Sequence, residues 1–180
     1  MKIYIKASTV DKMAEIQPIT KESAEFHKLW DDMMQEYSNL RPKYDKFFCR
    51  GRWQNTDKGI QFIVTTFLTP DCPEYNDIQS QLQSIPLKYV YRAVSIPEYE
   101  NILKTGQIKS NQSMNIGYEV ERGYTCYDKS FPGFYLPDDG GYILKIKATP
   151  DMFIDDVDEY IKTPSPVSIN NIVEVNGIPV

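Results

Sequence analysis

The spacing of apolar positions changes several times along the chain, and each change predicts an element. Met1 to Ser8 reads "MKIYIKAS", an alternation that predicts a strand, and the polar stretch that follows to Gln17 predicts a loop. Beyond Thr20 the spacing becomes helical. Phe26, Leu29, Trp30, Met33, Met34 and Tyr37 recur at every third or fourth position, so one face meets a core, with Thr20 as N-cap and Arg41-Pro42 as the stop. "KFFCRGRW" and "IQFIVTTFL" are rich in aromatic and β-branched residues and predict a hairpin around the polar turn "QNTDKG". Asp71 and Glu74 stand at capping-box spacing ahead of Tyr75, Ile78, Leu82 and Ile85, a second helix that Pro86 closes.

The second half is richer in strands. In "KYVYRAVSIPEYENILKTGQI", Tyr89, Tyr91 and Ala93 fall on one face of a strand and Val90, Arg92 and Val94 on the other. Arg92 thus lies on an apolar face, where a guanidinium calls for a carboxylate partner, a strand end near water or an anionic ligand. Ser95 and Glu98 then form a capping box, Tyr99, Ile102 and Leu103 make the buried stripe of a short helix, and Gly106 supplies its C′ position. "GYTCYD", "GYILKIKAT" and "DEYIKT" predict further strands around the aromatic cluster "SFPGFYL" and the turn "DDGG", and "NIVEVNGIPV" holds an Asn176-Gly177 hairpin turn. Pro86 is the expected boundary between a first region, 1–86, and a second, 87–180; packing of both as one unit is the alternative.

Composition narrows the function. A chain of 180 residues with 41% hydrophobic and 25% charged residues has the balance of an ordinary globular protein, and its net charge of −5 speaks against non-specific nucleic-acid binding. No apolar run is long enough to span a bilayer and Met1 to Thr9 lacks the apolar core of a secretory signal, so a cytoplasmic protein without a membrane partner is expected. Cys49, Cys72 and Cys126 have no close pair, and the sole histidine, His27, sits in a helical pattern, so neither a metal site nor a cysteine nucleophile is expected. Arg50 and Arg52 beside Trp53 are the one pairing in the first half that could grip a phosphate or a base; polar positions alternating with a buried Cys49 and Trp53 explain it better.

"YRAVS" with its helix ending in "KTGQI", then "GYTCYDKSFPGFYL", "GGYILKIK" and "VDEYIKTPSPVSINNIVEV", is an order that resembles the small ADP-ribosyltransferase-like proteins of phages and bacteria. The resemblance runs from Tyr89 to Val175, about half the chain. It implies an α+β protein, with the split β-sheet fold of that family in the C-terminal half and a small strand-helix-hairpin-helix region before it. It also implies a transferase that takes NAD as its substrate, with no metal, and passes ADP-ribose to a macromolecular acceptor, a protein before a nucleic acid.

Residue by residue, the resemblance assigns Arg92, preceded by the aromatic Tyr91, to the diphosphate and ribose side of NAD. Thr125 matches the hydroxyl that orders the site, although "YTCYD" stands where the family has a serine-threonine-serine run. Phe131, Phe134 and Tyr135 match an aromatic wall against the nicotinamide, and are otherwise core aromatics under a loop. Glu159 matches the glutamate that holds the nicotinamide-ribose hydroxyl and stabilises positive charge as the glycosidic bond breaks. Asp155, Asp156 and Asp158 crowd the same segment, and Glu174 is a backup carboxylate. Val157 stands where arginine-modifying members carry Glu or Gln, so arginine is not the expected acceptor. A catalytically inactive version of the fold, used as a protein-binding or inhibitory module, is the competing expectation. RNA 2′-phosphotransferases of the same fold carry an early histidine that has no counterpart near Arg92.

Overall fold

Val10, Met13 and Ile16, one helical turn apart, give the chain its first buried stripe. The computed structural model describes residues 7–40, 49–81, 84–109, 125–128, 131–155, 160–164 and 166–180. Its elements in chain order are α1 (Ala7–Glu15), α2 (Ala24–Leu40), β1 (Cys49–Thr56), β2 (Gly59–Thr66), α3 (Tyr75–Gln81), β3 (Ser84–Pro86), β4 (Tyr89–Ser95) and α4 (Ile96–Thr105). There follow β5 (Gln107–Ile108), β6 (Thr125–Tyr127), β7 (Gly141–Lys147), β8 (Phe153–Ile154), β9 (Ile161–Thr163), β10 (Val167–Ser168), β11 (Ile172–Val175) and β12 (Ile178–Pro179). Helices and antiparallel sheets together make an α+β protein.

Several sequence expectations shift. Ala7 and Ser8 belong to a helix and not to a strand, and the polar stretch read as a loop is α1; Met1 to Lys6 lie outside the described residues. The N-cap of α2 is Ser23 and not Thr20, because Ser23 Oγ accepts the Phe26 N–H at 3.2 Å while its own hydroxyl donates to the Thr20 carbonyl. Asp71 and Glu74 form no capping box: Asp71 bonds to the Thr69 side chain, Glu74 accepts from the Cys72 thiol, and α3 starts only at Tyr75. Pro86 does not close a helix. It ends the edge strand β3, in which Ile85 pairs with Phe62 of β2.

The first hairpin pairs Cys49 through Thr56 with Thr66 through Gly59, so its turn is Asp57-Lys58. The larger sheet has the order β12-β11-β7-β4, and β6, β9 and β8 make another. Among the described residues one bridge joins the two sheets: Tyr91 and Asp128 exchange both backbone hydrogen bonds at 2.7 Å. One hydrophobic cluster contains Met13, Ile16 and Ile60 together with Val90, Val94, Tyr99, Ile102, Leu144 and Ile146, so regions on both sides of Pro86 bury their apolar faces against each other. On the opposite face of β4 and β7, Ala93 and Ile143 pack against Ile19, Phe26 and Leu136.

Candidate functional site

β4 is buried on both faces, and its alternation sends Val90, Arg92 and Val94 toward α4 and Tyr91 and Ala93 toward α2. Arg92 is only 2% exposed. One partner is a carboxylate: Glu98 Oε1 accepts from Arg92 Nη2 at 2.8 Å and from Nε at 3.1 Å. Half of the expected capping box forms, with Ser95 Oγ accepting the Glu98 N–H at 3.3 Å. The glutamate side chain turns inward to Arg92, so one residue belongs to both the cap and the ion pair. Gly106, at φ 69°, ends α4 in the left-handed region and returns its N–H to the Ile102 carbonyl.

The Arg92 guanidinium carbon also lies 5.9 Å from the centre of the Tyr127 ring. Tyr127 ends β6, the strand that begins at Thr125, and β6 pairs residue for residue with β9 from Thr125–Thr163 to Tyr127–Ile161. Arg92, Thr125 and the strand that begins two residues after Glu159 therefore lie on successive neighbours, β4, β6 and β9. The described part of Thr125 is its backbone, and Glu159 lies outside the described residues, as do Asp156 and Asp158. Asp155 accepts from the fully buried Lys162 ammonium at 2.8 Å, and Thr163 Oγ1 donates to Asp151 at 2.9 Å, which fixes β9 by its side chains as well as its backbone.

The aromatic residues divide. Tyr135 bonds through its hydroxyl to Tyr160, the residue next to Glu159 in the chain. Phe131 instead packs edge-on against Phe26 and Trp30, and Phe134, 81% exposed, meets Trp30 at 6.1 Å. Tyr91 and Phe131 line a cleft of about 290 Å³ on the side of β4 away from Arg92, with Glu36, Lys145 and Glu174. There the Tyr91 hydroxyl donates to Glu36 at 3.1 Å, and burial, followed by the Glu36 charge, pushes its pKa well above the ordinary tyrosine value. Glu174 accepts from Lys145 at 3.3 Å.

Sequence reasoning missed Glu98 as a site residue. The signal was present in the spacing of Arg92, Ser95 and Glu98, which puts the cap and the carboxylate within one turn of the strand end. Glu36 and Lys145 came together only through the tertiary fold. Trp53 packs onto the core and against Phe62, so it is not the exposed stacking platform considered beside Arg50 and Arg52. The Cys72 thiol is held above its ordinary value chiefly by its hydrogen bond to Glu74, which leaves it a weak nucleophile. Among the described residues no cluster of three or more His, Cys, Asp or Glu side chains is placed to hold a metal, and no helix is long and apolar enough to cross a membrane.

Fold and site together define an α+β protein with a buried arginine at the junction of two antiparallel sheets. Comparison with protein-family models, with curated proteins and with solved structures finds no match to the chain.

Proposed function

We propose that the chain is an NAD-dependent mono-ADP-ribosyltransferase that modifies a macromolecular target, a protein in the first instance. The observation that carries this reading is the adjacency of β4, β6 and β9, which bear Arg92, bear Thr125 and follow on from Glu159. Neighbouring strands are how a fixed cation, a hydroxyl and a carboxylate come to address one substrate. In this reading Arg92 binds the diphosphate and ribose side of NAD, Thr125 orders the site and Tyr135 with Tyr160 forms an aromatic wall. Glu159 holds the nicotinamide-ribose hydroxyl. Nicotinamide leaves with the electrons of the glycosidic bond, Glu159 stabilises the positive charge that develops on the ribose, and the acceptor adds to that carbon with loss of its proton.

Incubation of the full chain with NAD labelled in its ADP-ribose half and a cell lysate tests this. Label transfer to a macromolecule is expected with the wild type, and its collapse with Glu159→Gln, which keeps the shape but removes the charge. Transfer undiminished in Glu159→Gln would overturn the assignment of that glutamate.

One observation favours a second reading. Arg92 is buried and paired with Glu98, while Phe134, which meets Trp30, and Met34 are exposed, an arrangement that also suits a catalytically inactive module that binds protein. Absence of label transfer and of NAD binding, with a retained cellular effect, would select it.

A further inference from the structure

On the face of the sheet away from Arg92, Tyr91, Lys145 and Glu174 form a row across β4, β7 and β11, each registered opposite the next. All three line the cleft of about 290 Å³ whose other wall is α2, through Asp32, Met33 and Glu36. Charge is unbalanced there. Three carboxylates line the cleft against one ammonium, and Lys145 is drawn between Glu174 at 3.3 Å and the Tyr89 ring at 4.9 Å. Asp32 meets Lys28 at 3.7 Å in an exposed pair of little strength. Glu36 has only a phenol: the Tyr91 hydroxyl, kept protonated by burial, holds the carboxylate at the cleft without cancelling its charge.

The lining is otherwise apolar and aromatic. Leu29, Met33 and Ile143 contribute to it, and so does the ring of Phe131. From Phe131 a run of edge-on rings leads outward, to Trp30 at 5.6 Å and from Trp30 to Phe134 at 6.1 Å. Phe134 is the most exposed large hydrophobic side chain among the described residues. A single exposed ring is ordinary; one continuous with a concave site short of positive charge is not scattered. Among the described residues no group of carboxylates is placed to hold a metal ion, so the charge the cleft lacks is that of an organic cation. A guanidinium fits best, because it is weakly hydrated, stacks on aromatic rings and donates from several edges, here toward Glu36 on α2 and Glu174 on β11. A free small cation would leave the ledge of Trp30 and Phe134 bare. An arginine within a protein segment covers both, and the net charge of −5 favours a basic partner.

We infer that this cleft binds an arginine side chain of a partner protein, with the apolar residues flanking that arginine packing on Trp30 and Phe134. The arginine is an anchor and not a group to be modified, since the cleft lies on the side of β4 away from Arg92. A protein that receives ADP-ribose and a protein held without chemistry would use this surface alike, so the inference goes beyond both readings of function.

Methyl NMR of the full chain labelled at methionine tests it, with a capped pentapeptide of glycine, leucine, arginine, leucine and glycine whose one charge is the guanidinium. Saturable shifts of the Met33 methyl are expected, with Met13 and Met152, in the core cluster that includes Val90 and Val94, unmoved. The same peptide with citrulline keeps the shape and loses the charge, and should bind at least about fivefold more weakly; glycine in place of both leucines should cost at least about threefold. Glu36→Gln retains an acceptor for Tyr91 and Phe134→Ala removes an exposed ring, so both should fold as the wild type and bind the arginine peptide at least about threefold more weakly. Glu100→Gln, the same loss of charge at an exposed position of α4, should bind like the wild type. No saturable shift at Met33, citrulline bound as tightly as arginine, or equal weakening by Glu36→Gln and Glu100→Gln would overturn the inference. Arginine amide binding as tightly as the pentapeptide would overturn the protein partner in favour of a small cation. NAD is absent from every sample, so failure here leaves the transferase reading standing, and failure of that reading leaves this site standing.

Discussion

Arg92 shows how a single residue can be read correctly for its requirement and incompletely for its partner. Alternation put it on an apolar face and physics demanded a counter-charge, yet the partner was a residue already assigned to a helix cap. The two jobs are compatible because the cap uses the backbone N–H of Glu98 and the ion pair uses its carboxylate. Tyrosines carry a second consequence at this scale. Burial raises the Tyr91, Tyr99 and Tyr142 pKa values, and the Tyr99 hydroxyl donates to the Met13 carbonyl at 2.7 Å, an interaction only the protonated phenol can make. A raised native pKa leaves the stabilising contribution intact below the unfolded value of about 10 and erodes it as pH climbs from there toward the native value, because the unfolded chain then releases protons first. Urea midpoints should be nearly level from about pH 7 to 9 and fall above about pH 10, less steeply in Tyr99→Phe. A midpoint that rises above that pH would contradict the assignment.

At the scale of elements, legibility followed the strength of local signals. The hairpin β1–β2, the capped helix α4 and the Asn176-Gly177 turn were readable because each rests on residues that specify backbone geometry in place. Helix α1 was not, since its buried stripe is short and its remaining positions are polar or alanine, so nothing but tertiary contact separates it from a loop. The edge strand β3 reads from sequence as a helix end for a related reason: Ile85 continues the helical spacing of α3, and only pairing with Phe62 reveals its strand. Asn176 shows a turn residue with a second role. At φ 51° it supplies the left-handed conformation, while its side chain accepts from the Ile143 N–H and donates to the Gln17 carbonyl, both at 2.9 Å. Asn176→Gly keeps the turn and loses both bonds, so a destabilisation of about 1–3 kcal/mol is expected in chemical denaturation. A change within experimental scatter would show that water replaces the side chain at no cost.

At the scale of the whole molecule, the boundary at Pro86 is crossed by the core. Met13 and Ile60 pack in the cluster that contains Tyr99 and Leu144, Asn55 exchanges hydrogen bonds with Ile154, and Ile19 bridges Gly141. A fragment of residues 87–180 would expose that surface, so it should lack cooperative unfolding while the full chain shows it. Sharp, reversible melting of the fragment would refute this dependence. The same packing has a bearing on function, because α2 and the first hairpin brace the sheets from which the proposed site is built.

The most direct measurement of that site is a calorimetric titration of NAD into the full chain beside Arg92→Lys, which keeps the positive charge and loses the planar fork. Saturable one-site binding by the wild type, weakened at least about tenfold in the variant at unchanged fold, is the expected result. Equal affinity in the two proteins, or no binding in either, would contradict an NAD site built on Arg92.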